Sequence, residues 1–231
     1  MRITYLKRIA ISSLAVVLLG RGLGQAPTER NDVFLQRVGA VGLNDQSIVD
    51  GIAMLSGEAG LAVSVEYPLG ATISGPAPPL RTFNAKVGPG TVSETLDRLC
   101  AIDPTFVWTR DGNMVNILPR SLASDPRYLL NRKIEELTFR EVREADNAVI
   151  EIANQLPGAR EQIAILATGT SLSFSQPWSA TLKNVSVRDV LDGIAQRLGP
   201  SYGWQFSGAQ DFRIVIFHQG LLPKPSRAAG Q

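Results

Sequence analysis

The sequence predicts an α+β fold built from two tandem copies of one small module. First, residues 86–118 and 183–217 run in the same order through a turn, a helix, a strand, a glycine turn and a last apolar strand. Second, apolar residues recur at helical spacing at matching positions about 100 residues apart. Third, both later helices open with a capping signal. Each module is therefore expected to follow the order β-α-β-β-α-β-β, with two helices packed on one face of a small mixed sheet.

The first 26 residues have the pattern of a secretory signal peptide. Three bases precede an apolar run over residues 9–20, and Arg21 ends that run. A membrane-spanning helix needs roughly 20 apolar residues, so a cleavable signal is favoured and an uncleaved tether is the alternative. The expectation is an exported protein, periplasmic or associated with the outer envelope, with no integral span after cleavage.

Charge and cysteine content exclude several classes. The formal charge is +2 for the whole chain and −2 for residues 27–231, because residues 1–26 contain four bases and no acids. Nucleic-acid binding, which needs a basic face in the mature chain, thereby loses its main support. Cys100 is the only cysteine, so an intrachain disulfide and a cysteine-based zinc site are excluded. Its position at the end of an apolar helix pattern predicts a buried core residue.

The first module is predicted to cover residues 30–118. Its first helix places Ile48, Ile52 and Leu55 on one face, and its second helix opens with a Thr91–Glu94 capping box. The expected strands are residues 34–43, 61–65 and 81–86, a strand ending at Trp108 and a last strand after Gly112.

The second module is predicted to cover residues 132–219. Val149, Ile152 and Leu156 share a face of its first helix, and its second helix opens at Ser186 with Asp189, a close variant of the capping box. The expected strands are residues 132–139, 163–167 and 178–183, a strand ending at Trp204 and a last strand after Gly208. The core positions that recur in the two modules are Ile52, Leu96, Trp108, Ile152, Leu191 and Trp204.

Three segments are predicted to lie outside the modules or their regular elements. Residues 119–131 form a short ordered linker, and residues 220–231 form a disordered tail. Residues 67–80 are rich in glycine and proline and almost uncharged. This stretch is read either as an ordinary connection between strands, which loop statistics favour, or as an exposed apolar docking loop flanked by Tyr67 and Leu80.

The order of these elements and the residues of the repeat resemble those of a known family. IVDGIAMLSGEAGLAVSVEY, followed by RTFNAKV and TVSETLDRL, resembles the short N-terminal domain of secretins and of signalling TonB-dependent receptors. The stretch from NAVIEIANQL through SATLKNVSVRDVLDGIAQRL resembles the same domain, so the likeness covers residues 34–118 and 132–218. It implies that family's fold and an action through protein contacts in the periplasm. No long array of β-barrel strands follows in this sequence, so the family's usual partners are not transferred to it.

The sequence offers little for catalysis, metals or cofactors. His218 is the only histidine, and no G-x-S-x-G turn accompanies it, so neither a catalytic triad nor a histidine-based metal site is expected. The glycines form no dinucleotide or phosphate-binding motif, so no cofactor is expected. One alternative is an envelope glycan hydrolase that uses two facing acids among Glu135, Glu136, Glu141, Glu144 and Asp146. Another is a small-ligand binder with an apolar groove between the modules.

The preferred hypothesis is a non-catalytic protein-interaction module that accepts a partner's strand on an exposed sheet edge. The partner would be an envelope protein such as a secretin, a TonB-dependent receptor or an anti-sigma regulator. Proline at Thr82 or Thr181 is expected to abolish binding and leave the fold intact. Trp178 lacks an aromatic counterpart in the first module and is assigned either to a binding surface or to packing. The candidate binding residues are Thr82, Asn84, Lys86, Trp178, Thr181, Lys183, Tyr67 and Leu80.

Overall fold

The computed structural model describes residues 32–67, 80–156, 163–165, 172–207 and 212–218, with the backbone alone for residues 163–165 and 212–213. The described residues belong to one compact unit, which starts at Asp32. The predicted signal peptide, the predicted tail and the interior of the glycine- and proline-rich stretch lie outside the described residues.

The chain is α+β, as the sequence predicts, and its two halves repeat one order of elements. The first half contains a 3-10 turn at Val33–Leu35, then β1 (Arg37–Val38), β2 (Val41–Gln46), α1 (Ile48–Ala59), β3 (Ala62–Glu66), β4 (Phe83–Val87), β5 (Gly90–Thr91), α2 (Val92–Ile102), β6 (Phe106–Asp111) and β7 (Met114–Pro119). The second half contains a 3-10 turn at Leu129–Asn131, then β8 (Lys133–Glu144), α3 (Ala145–Gln155), β9 (Ile163–Ile165), β10 (Ser173–Ser186), α4 (Val187–Leu198), β11 (Tyr202–Ser207) and β12 (Phe212–His218).

Capping side chains fix where three of the helices begin. Both predicted capping signals form, with Thr91 paired to Glu94 and Ser186 paired to Asp189. A third capping box at Ser47 opens α1, which was not predicted. In each case a side-chain oxygen accepts a hydrogen bond from a first-turn N–H that has no partner within the helix.

Each half has a long two-stranded ribbon on one side of its helices. In the first half β1–β5 and β2–β4 pair antiparallel, and in the second half β8 pairs antiparallel with β10 along almost its whole length. The helices contact both this ribbon and a separate sheet. The predicted arrangement of helices on one face of a single sheet is therefore wrong in this detail, because β4 and β10 pair in the ribbons and leave the other helix surface for a second layer.

That second layer is one six-stranded mixed sheet shared by the two halves, in the order β6-β7-β3-β11-β12-β9. The halves meet where β3 pairs parallel with β11, at Val65 opposite Gln205 and Glu66 opposite Phe206. Because this sheet is continuous across the junction, the two halves share a sheet and are not separate domains joined by a linker. The division into modules at residues 30–118 and 132–219 stays a prediction.

The two faces of β3 and β7 serve different cores. Val63 and Val115 belong to the core of the first half, whereas their neighbours Ala62 and Met114 belong to the core of the second half. Successive side chains of a strand point to opposite faces. The outer face of β3 and β7, away from α1 and α2, is therefore buried by the second half, and it carries Ser64, Glu66 and Asn116 as well.

Most of the predicted repeat core is buried. Ile52, Leu96, Ile152, Leu191 and Trp204 are all no more than 1% exposed, and Trp108 is half-buried. The predicted linker also contributes to the core, because Tyr128, Leu129 and Leu130 pack into the second half. The predicted opening strand at 34–43 is instead a 3-10 turn and two short strands, since Asp32 caps the turn and the Phe34 ring stacks on Trp108.

Candidate functional site: ribbon edges and the Trp108 groove

The predicted docking edges lie on the outer strands of the two ribbons. Asn84 and Lys86 lie on β4, Thr181 and Lys183 lie on β10, and all four side chains are exposed. Lys183 pairs with Glu136 across the second ribbon at 3.6 Å, which is an exposed ion pair of little energetic weight. Asn84 accepts a hydrogen bond from the Asp45 N–H at 3.0 Å, and the Thr181 and Thr138 hydroxyls bond at 3.2 Å. The edges are therefore exposed, and their side-chain contacts stay within each ribbon.

The hydrogen-bond register of the second ribbon shows which main-chain groups are free. Residues whose side chains lie on one face of a strand point their N–H groups to the same edge. The N–H of Val187 donates to Arg132 O, so the core-facing residues of β10 direct their N–H groups at β8. The alternation shifts by one residue at Asn184, whose φ is 51°, and the core-facing residues before it are Ala180 and Leu182. The N–H of Thr181 therefore points outward, and proline at Thr181 stays the predicted test of this edge.

The first ribbon has the same arrangement. The Asn44 N–H donates to the Gln46 side-chain oxygen rather than across the ribbon, so in the register that β2 keeps with β4 the N–H of Lys86 also points outward. Thr82 lies just before β4, where its hydroxyl donates to a carboxylate oxygen of Asp45 at 2.8 Å. Lys86 is therefore a better probe of this edge than Thr82.

Three predicted binding residues are packing residues instead. Trp178 is 9% exposed and its ring stacks on Phe139 at 4.1 Å between centroids, so it belongs to the second core. Tyr67 and Leu80 pack against the first core, and the Tyr67 N–H donates to Phe206 O. Burial and the nearby Asp50 raise the pKa of the Tyr67 hydroxyl. Tyr67 and Leu80 therefore hold the two ends of the predicted docking loop against the first core.

A matched pair of tryptophans shows a further surface that the sequence analysis missed. The Trp108 indole N–H donates to Asp97 at 2.8 Å, and the Trp204 indole N–H donates to Asp192 at 2.7 Å. The aspartates precede their tryptophans by 11 and 12 residues, and this repeated spacing is the signal that could have identified them. The pair on α2 and β6 is exposed, whereas the pair on α4 and β11 is buried.

The buried pair is covered by the outer face of β3 and β7. Asn116 donates its side-chain N–H to the second oxygen of Asp192 at 2.7 Å, and the Ser64 hydroxyl donates to the Asn116 carbonyl oxygen. Burial raises the pKa of Asp192 to about 7, against the lowering effect of its donors Asn116 and Trp204. The junction between the halves is thus sealed by a polar network that leaves both oxygens of Asp192 paired.

A buried ion pair stands beside this network. Arg188 donates to the two carboxylate oxygens of Glu66 at 2.5 and 3.1 Å and to the Asn131 oxygen at 2.7 Å. Glu66 is fully buried, and this burial raises its pKa although Arg188 acts to lower it. The Tyr128 hydroxyl is also buried here, and burial and the nearby Glu66 raise its pKa. These groups fill the junction where the small-ligand alternative places an apolar groove.

The half-buried Trp108 borders an open groove, which we call the Trp108 groove. It is lined by Asp97, Cys100, Ala101, Val107, Trp108 and Arg120. Among the described residues, the second carboxylate oxygen of Asp97 meets no donor. Burial raises the pKa of the Cys100 thiol to about 11, so this cysteine is an inert part of the wall, as the sequence predicts.

The acids of the hydrolase alternative are strung along one strand and the helix that follows. Glu135, Glu136 and Glu141 are exposed on β8, and Glu144 and Asp146 are half-buried at its end. Burial and the neighbouring Glu144 raise the pKa of Asp146. A glycosidase needs two carboxylates that face each other across a cleft. Neither the Trp108 groove nor the groove lined by Glu136, Thr138, Arg140 and Glu151 contains two of these five acids.

Three further features bear on function: metal ligands, membrane-spanning helices and known relatives. Within the described ranges, no cluster of three or more histidine, cysteine or acidic side chains could hold a metal ion. In the same ranges, every helix is too short or too polar to cross a membrane. No protein-family model, curated protein or solved structure matches the chain. The resemblance to short N-terminal domains therefore stays a prediction.

Proposed function

We propose that the chain is an exported, non-catalytic protein-interaction module of the bacterial cell envelope, acting as short N-terminal domains of secretins and TonB-dependent receptors act. The main support is the pair of two-stranded ribbons, whose outer strands β4 and β10 have a second edge without a strand partner among the described residues. Such an edge binds an extended segment through main-chain hydrogen bonds, while alternate side chains give selectivity. The candidate partners are a secretin, a TonB-dependent receptor or an anti-sigma regulator.

Side chains along these edges suit reversible binding. Long flat apolar edges aggregate, and natural edges avoid this with charged residues and bulges. The β10 edge carries Lys183, and the register of the second ribbon shifts at Trp178 and Ala180. The β4 edge carries Lys86, and the register of the first ribbon shifts between Asn44 and Gln46. These edges are therefore protected from indiscriminate pairing but remain open to a matched strand.

The experiment is affinity capture of the tagged full chain from cells, with fractionation to find its compartment. Lys86→Pro and Thr181→Pro each remove one outward N–H from an edge while the ladder to the inner strand remains. The proposal expects the chain in the envelope fraction and a specific partner that at least one of these variants loses about tenfold or more. A Gly57→Ala variant, whose new methyl group contacts nothing within 4 Å, is the matched control. Cytoplasmic retention, or capture that both proline variants leave unchanged, would contradict the proposal.

A further inference from the structure

The surface around Trp204 and Asp192, which is buried at the junction, has an equivalent in the first half around Trp108 and Asp97, and this equivalent is open. We propose that the Trp108 groove docks the face of a β-sheet of another envelope protein, with a side-chain amide, hydroxyl or amine of that sheet donating to the free oxygen of Asp97. This inference deepens the proposed interaction role and rests on it. It assigns the role to a surface other than the ribbon edges.

The two surfaces are equivalent in their construction. In each surface, the first N–H of the helix donates a hydrogen bond to the main-chain oxygen of the residue that follows a 3-10 turn. The N···O distance is 3.0 Å in the first half and 3.1 Å in the second. On each helix an aspartate accepts the indole N–H of a tryptophan on the following strand. Three residues after these aspartates, Cys100 and Ala195 are the matching small buried residues. The second surface is therefore a guide to what the first can accept.

The occupied copy shows how such a surface is covered. The outer face of β3 and β7 lies on it, Asn116 donates to Asp192, and Gln196 donates to Asp111 at 3.3 Å. Ala195 is thereby excluded from solvent, with an exposed fraction of 0%. The occupant is a sheet face with one amide aimed at the aspartate, and its apolar residues cover the small side chains of the helix.

The open copy has the same features, and none of the described residues covers it. Ala101 and Asp97 are exposed, and Val107 and Trp108 are half-buried. The Arg120 N–H donates to Thr105 O, so by the alternation of the β6–β7 ladder the N–H groups of Trp108 and Arg110 point away from β7. The groove thus offers apolar surface, an unsatisfied carboxylate oxygen and free main-chain donors next to one another.

Differences between the two copies indicate that the occupant is not a second copy of this chain. Position 203 is glycine because β11 crosses close to Val63, but the matching position is Val107. Arg188, which requires a buried acid from its occupant, is matched by Ser93. The strand pairing makes Val215 the counterpart of Asn116, so a second copy would bring no donor to Asp97.

The same differences describe the partner. Its strand lies at ordinary sheet spacing from β6, because Val107 prevents a closer crossing. It brings a neutral or basic donor opposite Asp97 and needs no acid at Ser93. At the far end of β6, Arg110 forms an ion pair with Asp32. The equivalent contact in the second half is aromatic, between Phe206 and Tyr128. That end remains solvated and forms the polar rim of the contact.

The test is cross-linking in living cells with the photoreactive amino acid p-benzoylphenylalanine in the full chain. Ala101 is the groove position, Lys86 is the ribbon-edge position, and Gly57 on the exposed side of α1 is the control. We expect an adduct from Ala101 whose partner peptide, read by mass spectrometry, is a β-strand with an amide, hydroxyl or basic side chain. Asp97→Lys should lower this adduct about tenfold, as loss of one charge-assisted hydrogen bond does. Asp97→Asn, which keeps the acceptor oxygen, should lower it less.

Purified partner then gives an independent measurement. Ala101→Arg places a bulky charge in the groove at an exposed position where folding is not at risk, and it should weaken the dissociation constant at least tenfold. An adduct that Asp97→Lys leaves unchanged, a dimer of this chain as the adduct, or unaltered affinity in Ala101→Arg would overturn the groove assignment. If Lys86 cross-links and Ala101 does not, the groove inference fails while the proposed function stands. If neither position cross-links, both fail.

Discussion

Gly203 on β11 lies against the carbonyl oxygen of Val63 on β3, and a Cβ atom at this position would overlap that oxygen. The contact stands at the parallel junction that joins the two halves into one sheet. A glycine is needed here for close approach of two backbones rather than for its conformational freedom.

Gly203→Ala is therefore expected to lower the free energy of unfolding by about 1–3 kcal/mol or more, because the backbones of β3 and β11 must move apart. Urea denaturation measures this change. Gly57→Ala on α1 is the matched control, since the added methyl group there contacts nothing within 4 Å. It should stabilise the protein by roughly 0.5–1 kcal/mol, as alanine does in a helix interior. Equal effects of the two variants would disprove the close-approach argument.

Asp192 makes the stability of the junction depend on pH. Burial raises the pKa of this carboxyl from 3.8 to about 7, so the folded protein holds the proton more tightly than the unfolded chain. Its contribution to stability is therefore full below pH 3.8 and is lost as the pH rises to about 7. At about 1.4 kcal/mol per pKa unit, the loss is on the order of 4 kcal/mol.

The measurement is the unfolding free energy of wild type and Asp192→Asn from pH 4 to 8. The variant should gain stability relative to wild type as the pH rises, because its side chain cannot ionise. Asp97→Asn changes the exposed member of the pair and is the control. A difference between Asp192→Asn and wild type that stays constant over this range would refute the titration of Asp192.

Removing only one partner of the Glu66–Arg188 pair is expected to lower the free energy of unfolding, because the other charge stays buried. Arg188→Met leaves Glu66 buried without its partner and should cost about 3–5 kcal/mol. The double variant Glu66→Leu with Arg188→Met should recover most of this loss, because it removes both charges. A double-mutant cycle by urea denaturation gives the coupling. Lys183→Met, which breaks the exposed pair with Glu136, is the control and should cost less than about 1 kcal/mol.

Neighbouring residues on β10 are expected to respond differently to proline. Ala180→Pro removes an N–H that bonds to β8, and Thr181→Pro removes one that points outward. Ala180→Pro should therefore be less stable than Thr181→Pro by about 1 kcal/mol or more. Thermal unfolding of the two variants compares them directly. The reverse order would show that the alternation of the ladder is assigned with the wrong phase.

Local patterns in the sequence were enough to identify the helices and most strands. The Thr91 and Ser186 capping signals lie within four residues of the groups they satisfy, so no distant part of the chain is needed to read them. The apolar spacing of Ile52 and Ile152 likewise identified buried helix faces, because a helix that packs on a core repeats its contacts every turn.

Binding residues were harder to identify because exposure depends on neighbours distant in sequence. Trp178 was a candidate on its residue type, yet Phe139 and Phe174 enclose it. Asp97 attracted no attention, although its equivalence to Asp192 through the paired tryptophans makes it the clearest docking candidate. Nothing local distinguishes an aspartate that a partner strand will cover from one that water will cover.

The sequence by itself determined the element types, the repeated order and the residues that face the helix cores, since short-range periodicity and capping control them. Only the tertiary structure decided that the halves share one sheet, that β4 and β10 form separate ribbons, and that one tryptophan surface is covered while its counterpart is open. These features depend on contacts such as Asn116 with Asp192, which join residues 76 positions apart in the chain. Pairings of that range are selected by the packing of the whole molecule, and no window of sequence contains both partners.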